Sequence, residues 1–267
     1  MDRFLHRYEL DTSEPSVTQA RRDVLRRALA PAIVLWAGIL GLGLLIVGPL
    51  DSLPAEGEVN EELVEARTPA WDSITSLMSN VGATEFIVGA CVVGVGLLWW
   101  RTRQWWFAIV PALAVALQAL LFVTSAQLVG RTRPEVEHLD ESPPTSGFPS
   151  GHAGASTAFY LTLALVAQRI RRPVLRGLAT ALCVLVPLAV GFARLYRGMH
   201  FLTDVVVGTL NGVVCAWLAW RYLRRDADRP SDAGVAGAAE GVQPVGGQPQ
   251  RHHREERLAE GELQEGS

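Results

Sequence analysis

The 267-residue sequence contains no lysine: all 24 of its basic residues other than histidine are arginines, set against 27 acids for a formal net charge of -3. No basic stripe with interleaved aromatics runs through it, which argues against nucleic acid as a partner. Cysteine is scarce as well. Cys91, Cys183 and Cys215 each sit inside an apolar run, share no metal-ligand spacing, and make an odd count that suits no disulfide framework. They read as small packing residues. No internal repeat is present.

What the sequence does have is long apolar runs. Hydrophobic residues make up 49% of the chain and gather into stretches of about twenty, the length needed to cross a hydrocarbon core of roughly 30 Å. Spans are expected at about Leu29–Leu50, Ala83–Trp100, Trp105–Leu128, Ala153–Ile170, Leu178–Phe192 and Phe201–Tyr222. The first run is too long for the core of a signal peptide and is read as a retained span. The expected fold is all-α, an integral membrane bundle of six transmembrane helices over residues 29–222. A polar cytoplasmic segment, 1–28, precedes it. A tail, 223–267, follows, rich in Gly, Ala, Gln, Arg and Glu without periodicity and expected to be disordered. His252 and His253 belong to this tail and are given no chemical role.

Charge asymmetry orients the bundle. Arginines cluster before span one (Arg21, Arg22, Arg26, Arg27), between spans two and three (Arg101, Arg103), between four and five (Arg169, Arg171, Arg172, Arg176) and after six (Arg221, Arg224, Arg225). In a six-span topology all four places share one side. The loop after span one carries Asp51, Glu56, Glu58, Glu61, Glu62 and Glu65 against Arg67. Both termini are therefore expected in the cytoplasm. Trp71, Ile74, Leu77 and Met78 fall at helical spacing before span two, either as a short interfacial helix or as the packed entry to that span.

Polar residues that interrupt the pattern fall in two places on the extracytoplasmic side. One is the loop between spans three and four, with Arg131, Arg133, Pro134, His138 and Pro149-Ser150-Gly151-His152. The other joins spans five and six, with Arg194, Tyr196, Arg197, His200 and Asp204. Ser150 can cap the following helix, and Gly151 lets the backbone approach a ligand closely. The exposed N–H groups at such a helix start suit phosphate. His200 and Asp204, four apart, share a helical face, so the carboxylate could accept one imidazole N–H and leave the other nitrogen free to attack. A plain solvated pair would satisfy the same spacing, but Asp204 lies within an apolar run where an idle carboxylate is costly. A metal site built from His152, His200, Asp204 and His138 is the rival arrangement. The surrounding arginines weigh against it, because they repel a cation and bind phosphate oxygens through forked contacts.

Arg133-Pro134, then Pro149-Ser150-Gly151-His152, then Arg194, His200 and Asp204 resemble the three signature blocks of the type-2 phosphatidic acid phosphatase superfamily. In that family the blocks run Lys, six residues, Arg-Pro; then Pro-Ser-Gly-His; then Ser-Arg, five residues, His, three residues, Asp. The resemblance covers roughly residues 30–222. It implies a membrane enzyme that removes phosphate from a lipid phosphate without metal or other cofactor. His200 would be the nucleophile, oriented by Asp204, and His152 the general acid and base. Arg133, Arg194, Ser150 and the Gly151 N–H would hold the phosphoryl oxygens. The chain departs from the pattern twice: Ala126 stands where the family lysine belongs, and Ala193 where the serine precedes Arg194. Arg131 is the nearest cation that could replace the lysine.

The blocks bind phosphate rather than a lipid tail, so phosphatidic acid, phosphatidylglycerol phosphate and undecaprenyl diphosphate all remain candidate substrates. A phosphotransferase would use the same residues. The superfamily also includes vanadate-dependent haloperoxidases, against which the long apolar spans argue. The non-enzyme reading is a lipid-binding or lipid-translocating protein that kept the fold.

Overall fold

The computed structural model describes residues 14–50, 53, 55–141 and 145–224. The expected disordered tail beyond them, Asp51, Arg225, His252 and His253 lie outside the described residues. Those residues form helices and loops, with no strand among them.

Helix α1, Val17–Val47, is continuous over 31 residues. It starts in a capping box, in which Ser16 and Gln19 exchange hydrogen bonds, and carries a π-helical segment at Leu25–Leu29. It thus begins twelve residues before the expected span (29 − 17 = 12), because the arginine-rich stretch winds on into the apolar run. Helices α2 (Ala55–Glu65) and α3 (Pro69–Val81) follow. Helix α4 (Thr84–Thr102) and helix α5 (Trp105–Val129, which bends at Ile109 ahead of Pro111) are the expected spans two and three. Then come α6 (Gly151–Ala167), α7 (Pro173–Tyr196) and α8 (Leu202–Arg221).

Among the described residues, α1, α4, α5, α7 and α8 are long and apolar enough to cross a membrane. Their outer faces carry apolar side chains that a water-soluble protein would bury: Val92 is 69% exposed and Leu182 64%. Helix α6, expected as the fourth span, is shorter, with 17 residues, or about 25 Å. It is the centre of the bundle and packs against α5, α7 and α8. Its serine and threonine hydroxyls are satisfied within the helix, as where Ser156 donates to the His152 carbonyl and Thr157 to the Ala153 carbonyl.

Glycine sets how closely α6 and α8 approach. A Cβ on Gly208 would run into the main chain of Ser150, and one on Gly212 into the carbonyl of Gly154. Small residues let the two backbones meet, which draws the start of α8 against the Pro149–His152 turn. Opposite the site, Phe107 and Trp220 close the bundle with ring centroids 6.0 Å apart.

Helix α3 resolves the two readings of the Trp71 stretch. It is a separate helix, turned at Gly82 before α4, and it presents Trp71, Ile74 and Leu77 outward while Thr75 and Ser79 are buried inward. An apolar outer face over a polar inner one suits an interfacial helix beside lipid. Helix α2 was not expected at all. The acid-rich stretch read as a loop winds into a helix that buries Glu56 and Asn60.

Candidate active site

Main-chain bonds bring the two polar stretches together. Ser150 N–H donates to the Asp204 carbonyl at 2.9 Å, and Gly147 N–H to the Arg131 carbonyl at 2.8 Å. Gly130 ends α5 in the left-handed region at φ 66°, which glycine adopts without steric cost and which turns the chain into the Arg131–Arg133 stretch. The Ser150 hydroxyl caps α6 by accepting from Ala153 N–H, so it does what the sequence suggested of it at the helix start. The hydroxyl is buried. Gly151 lies against the Phe122 ring, where a Cβ would be crowded.

His200 sits in the loop between α7 and α8 and is buried. Its Nδ1 lies 2.7 Å from the Gly147 carbonyl oxygen and 3.7 Å from Asp204 Oδ2. A carbonyl can only accept, so Nδ1 carries the hydrogen and, in the neutral ring, Nε2 is the unprotonated nitrogen. The expected direct bond from His200 to Asp204 is thus replaced by one to the main chain. Burial lowers the His200 pKa, and the Arg194 and Arg133 charges add to that, while the Asp204 carboxylate acts the other way. The net direction keeps the imidazole neutral to lower pH than an ordinary histidine.

Asp204 itself is fully committed. Its Oδ1 accepts from Arg131 Nη1 at 2.6 Å, and its Oδ2 from Phe201 N–H at 2.8 Å. Arg131 spans the gap to α2, donating through Nη2 to Glu56 Oε2 at 2.8 Å and through Nη1 to Thr203 Oγ1 at 2.7 Å. Glu56 also accepts from Thr203 N–H at 2.6 Å, which places a carboxylate at the positive end of α8. Arg131 therefore does not stand as the expected substitute for the family lysine. Its guanidinium is buried between two carboxylates, the reverse of an anion site, and it stacks over Phe201 at 4.3 Å. Ala126 is buried in α5, at the position where the family has its lysine.

Arg133 and Arg194 approach from different sides. Arg133 is half-buried and donates to the Met199 carbonyl at 2.7 Å, next to His200. Arg194 Nη1 donates to Asp140 Oδ2 at 2.6 Å and to Ser79 Oγ at 2.7 Å. Its Nε is buried and has no hydrogen-bond partner among the described residues. A buried guanidinium N–H without an acceptor is costly, and an oxyanion would satisfy it. Asp140 also takes Arg197, with Nε at 2.8 Å. Burial would raise the Asp140 carboxyl, but Arg197 and Arg194 outweigh it and hold the group below the usual carboxylate range.

His152 stands in the first turn of α6, within reach of the charges of Arg194, His200, Asp140 and Arg133. His138 turns instead to its own loop, with Nε2 2.9 Å from the Pro134 carbonyl. Among the described residues, no three His, Cys, Asp or Glu side chains come together as metal ligands would.

The structure thus gathers His152, His200, Asp204, Arg133 and Arg194 at one end of the bundle and assigns Arg131 to structure. Sequence reasoning missed Gly147, Glu56, Asn60, Ser79 and Asp140. Of these only Glu56 and Asn60 left a trace, as an i,i+4 pair within an acid-rich stretch. Asn60 Nδ2 donates to the His200 carbonyl at 3.2 Å.

A membrane-embedded helical bundle with two histidines and two arginines at one end defines a class. A sequence model described as the PAP2 superfamily matches residues 105–228, the part that contains all three signature blocks. Among curated proteins, the chain is 25% identical to phosphatidylglycerophosphatase B of Bacillus subtilis (strain 168) over 168 residues, 61% of this chain and 81% of that one. Among solved structures, it superposes on the transmembrane PAP2-type phosphatidylglycerolphosphate phosphatase from Bacillus subtilis with a TM-score of 0.61 at 20% identity, covering 79% of this chain and 98% of that one. It also superposes on Aquifex aeolicus LpxE with a TM-score of 0.50 at 20% identity, covering 61% and 92%. These likenesses show a shared fold.

Proposed function

We propose that the chain is a lipid phosphate phosphatase working through a phosphohistidine at His200. The observation that carries this is the His200–Gly147 bond, which leaves Nε2 as the free lone pair of a neutral imidazole beside two arginines. Nε2 attacks phosphorus, the bond to the leaving alkoxide breaks, and His152 gives that oxygen a proton. Water, deprotonated by the same histidine, then attacks the phosphohistidine and releases phosphate. Arg194, through its unpartnered Nε, and Arg133 stabilise the charge on the equatorial oxygens. The Gly151 N–H and the start of α6 add a fixed dipole, and the capping hydroxyl of Ser150 holds that turn in place. No metal takes part in this route.

Residues 29–222 form the catalytic domain in this reading, with α6 as the fourth of its six crossings, 1–28 and 223–267 cytoplasmic, and the site on the extracytoplasmic face. The arginine clusters at the end of the bundle remote from the site support that orientation. The Bacillus subtilis relative makes phosphatidylglycerophosphate the first substrate to try. The test is phosphate release by the detergent-purified chain from phosphatidylglycerophosphate, phosphatidate and undecaprenyl diphosphate, with chelator present, beside His200→Ala. Chelator-resistant turnover that disappears in the variant is the expected result. Turnover abolished by chelator would restore a metal route, and lipid binding without turnover would leave a non-enzyme.

A further inference from the structure

A helix is ordinarily held to its neighbours by an apolar stripe. The residues that α2 buries are instead Glu56 and Asn60, one turn apart on the same face, while Glu58, Glu61, Glu62 and Glu65 are exposed. Both buried side chains reach the link between α7 and α8. Glu56 Oε1 accepts from Thr203 N–H at 2.6 Å, and Asn60 Nδ2 donates to the His200 carbonyl at 3.2 Å. Arg133 holds the same link by donating to the Met199 carbonyl, and Asp204 by accepting from Phe201 N–H. Main-chain groups on both sides of His200 are thus fixed by side chains rather than by regular structure. Of these side chains, Asn60 has the least to gain from being polar. It is 1% exposed, and its Oδ1 has no hydrogen-bond partner among the described residues. For folding alone, a leucine of similar size would serve about as well.

We propose that Asn60 is a positioning residue for the nucleophile, an inference that rests on the phosphohistidine reading above. The imidazole is tied at Nδ1 to the Gly147 carbonyl, and the peptide that follows it is tied by Asn60. A bond at each end of the residue leaves Nε2 little room to drift from phosphorus. A misplacement of about 1 Å costs on the order of a hundredfold in rate, so losing one of the two ties should cost about tenfold. Asn60 touches neither substrate nor the reacting nitrogen, so its loss should appear in the chemical step and not in phosphate binding.

Steady-state kinetics of the detergent-purified full chain, with inhibition by inorganic phosphate, test this. Asn60→Leu should lower kcat about tenfold, leave KM and phosphate inhibition within about twofold, and lower Tm by no more than about 3 °C. Asn60→Asp keeps the outline but turns the donor into an acceptor, so kcat should fall at least as far; either variant decides if the other fails to fold. A second readout is the His200 Nδ1–H proton in ¹⁵N-histidine NMR, assigned by its absence from His200→Ala. Its exchange with solvent should quicken about tenfold in Asn60→Leu. Unchanged kcat and exchange in a folded variant would overturn the proposal. So would a raised KM at constant kcat, or a loss of activity that only tracks the loss of folded protein. If the wild type turns over no lipid phosphate, the phosphatase reading fails by itself, and the exchange rate still decides whether Asn60 holds His200.

Discussion

His200 donates its Nδ1 hydrogen to the main-chain carbonyl of Gly147, 2.7 Å away, while Asp204 stands 3.7 Å off. The loop before the Pro149–His152 turn, and not the carboxylate, sets which ring nitrogen is free. Asp204 supplies charge and anchors the start of α8, through Phe201 N–H and Arg131.

Asp204→Asn should therefore lower kcat by about 10–100-fold. That is well short of the ~10⁴-fold loss seen where a carboxylate alone holds the tautomer. The acid limb of the rate profile should also move to lower pH, because Asp204 is the group that raises the His200 pKa. Steady-state kinetics across pH read both effects. A 10⁴-fold loss would return the tautomer to Asp204.

Arg131→Met should cost stability before it costs binding. It would strand Asp204 and Glu56, which Arg131 now bridges at 2.6 and 2.8 Å, and breaking a buried pair from one side costs about 3–5 kcal/mol. Denaturation in detergent should show a lower Tm, with KM changed less than twofold in the remaining folded enzyme. A large rise in KM at unchanged Tm would mean that Arg131 touches phosphate after all.

Asp140→Asn releases the grip on Arg194 Nη1 and on Arg197. The Arg194 fork is then less well oriented, and kcat/KM should fall about tenfold. Arg194→Lys, which keeps the charge and loses the fork, should fall about a hundredfold or more. If the aspartate variant equals the wild type, Asp140 has no part in placing Arg194.

The depressed His200 pKa gives a pH prediction with a definite sign. The nucleophile must be neutral, so activity is held above the folded pKa and lost as pH falls through it. With the folded value below the ordinary 6.5, the acid limb should lie below pH 6.5 once the measured ionisation of the substrate is divided out. The unfolded chain takes up a proton near 6.5 that the folded chain does not. His200 therefore also subtracts stability as pH drops below 6.5. An acid limb at or above 6.5 would contradict the burial effect.

The positions of His152, His200, Asp204, Arg133 and Arg194 were legible because their types and spacings along the chain are themselves the signal. Five of the six expected spans were legible in the same way, since apolar run length is a direct count of what a membrane requires. The partners were not. Gly147 meets His200 across 53 residues, Glu56 meets Thr203 across 147, and Asp140 meets Arg194 across 54. A main-chain carbonyl, moreover, leaves no mark in composition. Arg131 was misread for a related reason. Its proximity to Arg133 in sequence suggested a shared anion, whereas two carboxylates from α2 and α8 claim it once the chain folds. Helix α6 fell short in length because its role is to pack tightly at the centre, where small residues count for more than span.

The central claim is a covalent phosphate on His200, and trapping it is the most direct test. The chain is mixed with ³²P-labelled lipid phosphate, quenched in alkaline detergent within the first turnover, and mapped by mass spectrometry. Alkali-stable, acid-labile label on His200, absent from His200→Ala, is the predicted result. Label on another residue, or label that persists in His200→Ala, would contradict it.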